Sequence, residues 1–113
     1  MIPIQQIVHE YRKDLGEDGK PMAYRPFAEQ LSEPLAVMQR KISHASVQNW
    51  ETERYEPNDD DLHLLVICAK PHTWQWHFAC DLRAAKYPTI YQPVGEIGKR
   101  ILMVEGEHVP ASN

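Results

Sequence analysis

The sequence predicts an all-α fold. Apolar residues recur at helical spacing in successive segments, Ser or Asn stands just ahead of several of them, and Pro or Gly interrupts the chain between them. The chain has 113 residues, enough for one small domain with a single core. Its 42% hydrophobic and 25% charged residues suit a globular protein and exclude a disordered one.

The first helix is expected over Ile4 to Leu15. Ile4, Ile7, Val8, Tyr11 and Leu15 share one face, Gly16 and Gly19 stop it, and Arg12 and Lys13 suit the negative end of its dipole. The second is expected over Tyr24 to Leu31, with Pro26 tolerated in its first turn and Phe27, Ala28 and Leu31 buried. Ser32-Glu33-Pro34 reads as a fresh start, a polar cap followed by Pro, with Leu35, Met38 and Ile42 continuing on one face. Ser43 is a candidate cap for a third helix through Trp50, with Val47 and Trp50 inward.

Asn58 caps the fourth helix, and Asp59, Asp60 and Asp61 lie where carboxylates favour a helix start. Leu62, Leu65, Val66 and Ala69 form its core stripe, and Pro71 ends it. The fifth helix is expected from Thr73 to Lys86 and carries two apolar stripes. One holds Trp74, Phe78, Leu82 and Ala85; the other holds Trp76, Cys80 and Tyr87, and such a helix needs two packing surfaces. Pro88 and Pro93 bracket a linker. Val94, Ile97, Ile101 and Val104 keep helical spacing, Gly95 and Gly98 oppose it, and Ile101 to Val104 suits a short strand equally well. The last residues read as a frayed tail. The expected organisation is a domain over 1–87 and a C-terminal extension over 88–113.

The stretch from Ile42 to Pro57 carries the functional signal. Ile42 and Ser43 open a helix, Val47 is its β-branched core residue, Trp50-Glu51 is an aromatic-acidic pair, Arg54 sits in the turn, and Pro57 precedes the next helix. In these residues the sequence resembles the second half of the Xre/Cro-type, lambda-repressor-like helix-turn-helix domain. Phe27-Ala28 and Leu31 resemble the apolar-Ala pair of that family's second helix, so the resemblance covers roughly residues 4–70. It departs in two places. Ser32 to Lys41 separates Leu31 from Ile42, so the turn between the second and third helices is expanded; a rival register takes Leu35-Ala36 as the second-helix pair. Glu53 stands where the family often has Gly, so it must avoid the left-handed conformation or accept strain.

The resemblance implies sequence-specific binding of duplex DNA by a transcriptional regulator. The residues suit this independently. A helix entering the major groove shows short polar side chains outward and anchors itself by apolar ones. His44, Ala45, Gln48 and Asn49 are the candidate base contacts: Asn pairs with adenine, and Ala meets a thymine methyl. Tyr24, Arg25, Arg40, Lys41, Ser43, Ser46 and Arg54 are the candidate phosphate contacts. The net charge of -4 opposes non-specific nucleic-acid binding. Specific binding depends on the local field, over a Debye length of roughly 8 Å.

Other readings are weaker. An exposed helix face explains His44 to Asn49 without any ligand, and a protein-interaction module that keeps the fold but not the DNA face fits the acidic balance. Cys68, His72, His77 and Cys80 have the residue types of a zinc site without its spacing, and buried Cys with surface His is the plainer reading. Asp59 to Asp61 with His63 reads as a solvated helix start before a metal site. Gly95-Glu96-Ile97-Gly98-Lys99 lacks phosphate-loop spacing. No cofactor, metal or catalytic constellation is expected. The two cysteines suit a reducing cytoplasm, and the longest apolar run, Leu64 to Ala69, is far below the ~20 residues of a membrane span. The second stripe of the fifth helix suggests a homodimer, with the tail folding back over Trp76 as the monomeric alternative.

Overall fold

The computed structural model describes residues 2–91. Within them the chain forms five α-helices: α1 (Ile4–Leu15), α2 (Tyr24–Ser32), α3 (His44–Glu51), α4 (Asp59–Cys68) and α5 (Trp74–Lys86). A 3-10 helix, Glu33–Met38, lies between α2 and α3. Among the described residues there is no strand, and the fold is compact and all-α. No described helix is long and apolar enough to cross a membrane. The expected segment Val94 to Val104 and the tail lie outside the described residues.

Three helices begin at side-chain caps, of which Ser43 and Asn58 are the expected ones. Ser43, Asn58 and Thr73 accept hydrogen bonds from the backbone N–H groups of Ser46, Asp61 and Trp76, satisfying donors that a helix start leaves unpaired. Thr73 is therefore the cap of α5 and not its first residue. Gly16 closes α1 in an extended conformation. A Cβ there would sit 1.8 Å from the Lys20 carbonyl oxygen, so the close return of the loop demands glycine.

The core draws on every helix. Ile7, Val8, Tyr11, Phe27, Ala28, Leu31, Val47, Trp50, Leu62, Leu65, Phe78 and Leu82 are buried in one cluster. Ile4, expected in that core, is half-buried against it, as are Leu15, Val66, Trp74 and Ala85. Aromatic rings fill the space between α1, α2 and α5. Phe78 meets Tyr11 and Phe27 edge-on at centroid distances of 4.9 and 5.4 Å.

Several polar residues enter this interior. Tyr11 donates its hydroxyl to the buried Asp81 carboxylate at 2.7 Å, joining α1 to α5. His77 is fully buried, which corrects the expectation of surface histidines, and its ring lies 5.1 Å from Trp76 and 5.8 Å from the exposed His72. Cys80 is buried as expected, and burial pushes its thiol pKa up. Among the described residues no three His, Cys, Asp or Glu side chains gather as a metal-holding group.

The α2–α3 connection differs from expectation in detail. Ser32 is the last residue of α2, is buried, and makes no cap bond. Instead its hydroxyl donates to the Ala28 carbonyl at 2.7 Å and accepts from the Ile42 N–H at 2.8 Å. Leu35 and Ile42 are buried, whereas Met38, expected on their face, is exposed. The chain turns away from the core at Gln39, which has φ of 56°, before Ile42 returns to it. The helix bounds follow the expanded-turn register, with Phe27, Ala28 and Leu31 as the inner face of α2.

Candidate nucleic-acid interface

α3 is held by its inner face and by both ends. Val47 is fully buried and Trp50 is 4% exposed, while His44, Ala45 and Gln48 are exposed and Asn49 is half-buried. Three of the four expected base-contacting side chains thus lie on the solvent side of an anchored helix, with Asn49 at its edge. Ser43 and Ser46 are partly committed to the helix start. Ser43 caps it, and their hydroxyls are hydrogen-bonded at 3.0 Å.

The far end of α3 is locked to the rest of the domain by Glu51. Arg12 donates from Nη1 to Glu51 at 2.6 Å and from Nε to the Met22 carbonyl at 2.8 Å. Its guanidinium lies 4.0 Å from the centre of the Tyr24 ring. His9 approaches the other Glu51 oxygen at 3.1 Å. Arg12 therefore does more than sit at the end of α1: it is buried and ties together α1, the following loop, α2 and α3. The Tyr24 hydroxyl pKa is raised, first by burial and then by the Glu51 charge. Tyr24 is half-buried in this network, which gives it an internal role beside the phosphate contact expected of it. Arg25, next to it, is exposed.

The helix leaves through Glu53. Arg54 N–H donates to the Asn49 carbonyl at 2.9 Å and Glu53 N–H to the Trp50 carbonyl at 3.4 Å, the bonding of a Schellman cap. Glu53 occupies its left-handed position with φ of 65°. The strain considered from sequence is therefore accepted. Because the left-handed region costs a residue with a Cβ roughly 1–2 kcal/mol, Glu53→Gly is expected to raise stability by ~0.5–1 kcal/mol after the added freedom of the unfolded glycine. Chemical denaturation would measure it, and a loss of stability would contradict the strain. The turn also presents Arg54 and the 67% exposed Tyr55. Tyr55 was not singled out in the sequence, where nothing distinguishes it from a turn residue.

The charges around α3 divide unequally. Lys41 and Arg54 are exposed. Arg40 is exposed too, but its Nη2 pairs with Asp61 at 2.9 Å, so a phosphate would have to compete with that carboxylate. The acids of the α4 start are largely matched by the chain's own groups. Asp59 accepts from Lys86 at 2.9 Å and from the Tyr87 hydroxyl at 2.8 Å, and these hydrogen bonds lower its pKa. Asp60 is exposed.

A separate cleft of about 350 Å³ opens between α4 and α5, lined in part by Asp59, His63, Arg83, Tyr87 and Tyr91. The Arg83 guanidinium stacks over Tyr91 at 4.0 Å. In the second stripe of α5, Trp76 and Tyr87 are half-buried and Cys80 is buried.

Compared with family models, curated proteins and solved structures, the chain has no match.

Proposed function

We propose that the chain binds duplex DNA sequence-specifically as a transcriptional regulator, with α3 as the recognition helix of a lambda-repressor-like, Xre/Cro-type helix-turn-helix domain. The supporting observation is the division of α3 into a buried face of Val47 and Trp50 and an outer face of His44, Ala45 and Gln48 edged by Asn49. A helix fixed in this way presents polar groups in a set geometry to the major groove, where each base pair has a distinct donor and acceptor pattern. Lys41, Arg54 and Arg25 supply exposed cations for phosphates. The matching of Asp59 and Asp61 by Lys86, Tyr87 and Arg40 reduces the repulsion those acids would otherwise exert. The reading assigns no catalytic step and no cofactor.

Selection of binding sites from random duplexes tests it. Asn49→Ala or His44→Ala is expected to relax preference at one base position by ~1–3 kcal/mol, whereas Arg54→Ala or Lys41→Ala weakens all duplexes alike. The reading fails if no duplex is enriched, or if all four variants bind every duplex as the parent does.

The second reading is a protein-interaction module that keeps the fold without using the DNA face. It is favoured by the net charge of -4. Absence of retention on duplex DNA at low salt would select it. The homodimer suggested by the sequence would cover the second stripe of α5, where Trp76 and Tyr87 are half-buried and Cys80 is buried. A two-fold pair reading palindromic half-sites roughly 34 Å apart is an outcome for sedimentation of the full chain to decide.

A further inference from the structure

Three consecutive apolar residues stand in solvent at the tip of the α2–α3 connection. Val37 is 78% exposed, Met38 is 50% exposed, and Ala36 is exposed between them and Leu35. A run of three exposed apolar residues favours association and adds nothing to a core, so it calls for a function. The segment that carries it is firmly built. The Ser32 hydroxyl closes its base by joining Ala28 to Ile42, and the fully buried Leu35 pins one side. Gln39 then reverses the chain in the left-handed conformation, while Gln39 N–H donates to Ala36 and Arg40 N–H to Leu35. Compact loops with closed ends, held partly by backbone strain, are places where proteins put binding residues.

The sequence continues from this tip through Arg40 and Lys41 to Ser43, the cap of α3. Two cations and a helix N-terminus thus follow the apolar tip directly, and both features favour phosphate. In helix-turn-helix recognition the first residues of the recognition helix meet base edges, so the residues leading into α3 approach the same groove. The apolar feature of the major groove is the thymine C5-methyl group.

We propose that Val37 and Met38 form a second DNA-reading element, packing against thymine methyl groups that flank the base pairs facing α3. This rests on the function proposed above, and it adds an apolar part to an otherwise polar readout. Lys41 favours this occupant over an apolar protein surface, because it places exposed positive charge at the edge of the tip, beside the Arg40–Asp61 pair.

The test uses duplexes enriched by the full-length parent, in which single thymines are replaced by deoxyuridine. The parent is expected to lose about fourfold in affinity for each contacted methyl group at the flanking positions. Val37→Ser/Met38→Ser, with folding checked by circular dichroism, is expected to bind the thymine duplex as weakly as the parent binds the deoxyuridine one. It should be insensitive to replacement at those positions. The proposal is overturned if the double variant keeps the parent's affinity and methyl sensitivity, or if enriched sites carry no flanking thymine. If Asn49→Ala alters base preference while the tip variant does not, only the tip assignment falls. If the parent enriches no duplex, the DNA-binding reading falls and takes this one with it. A tip variant that loses self-association but not DNA affinity identifies an interface between copies and overturns the DNA role.

Discussion

Trp50→Ala is expected to cost ~3–5 kcal/mol, a large part of the roughly 5–15 kcal/mol that holds a domain together. The indole is 4% exposed and belongs to the same buried cluster as Ile7, Val47 and Leu62. Truncation removes the apolar area and leaves a cavity that the surrounding helices fill only in part. Trp50 also stands in the last turn of α3, after Asn49 and before Glu51. Its loss should therefore loosen the presentation of α3 as well as lower global stability. Urea unfolding followed by far-ultraviolet circular dichroism measures the first effect without the change in fluorescence that removing a tryptophan brings. A cost below about 1 kcal/mol would show that α3 is held by its capping and polar ties and not by this ring.

The elements that sequence reading located best are those whose causes are local. Periodicity placed α1 and the stripe of α4, and the caps Ser43 and Asn58 each act within three residues of their partners. The outer face of α3 was legible for the same reason, since Val47 and Trp50 fix which side is inward. What sequence left hidden depends on partners far along the chain. Ser32 looked like a helix cap because a hydroxyl before Glu-Pro usually is one, yet its partner Ile42 lies ten residues on. The binding partner of Asp81 is Tyr11, 70 positions away, and amphipathic reasoning alone puts an aspartate outside. His77, read from the sequence as a surface histidine in place of a zinc ligand, is buried as well. The 3-10 form of Glu33–Met38 was not legible either, because a Pro in the first turn opens an α-helix equally well. The sequence marks Glu53 as a departure from the family pattern, and the structure shows that the turn prevails over the residue's own preference.

Separating Arg12 from Glu51 is expected to be the most damaging polar change. These side chains are 11% and 16% exposed and meet at 2.6 Å across 39 residues. Arg12→Met keeps the aliphatic stem but takes the guanidinium away from the carboxylate, which keeps the half-exposed His9 beside it at 3.1 Å. Breaking a buried pair costs ~3–5 kcal/mol by removing one partner. The residual exposure of both side chains reduces the expectation here to ~2–3 kcal/mol. Glu51→Leu should cost a similar amount by stranding the guanidinium, which keeps the Met22 carbonyl and the Tyr24 ring. The double variant Arg12→Met/Glu51→Leu leaves neither charge unpaired, so it should be less damaged than the sum by ~1–3 kcal/mol. Salt should change this coupling little, since a pair this enclosed is poorly screened. Duplex affinity gives an independent reading: if the pair fixes the angle at which α3 is presented, the double variant should recover stability without recovering full affinity. Single-variant costs that are small and simply additive would mean that the pair behaves as an exposed one, and that α3 is positioned by Val47 and Trp50 alone.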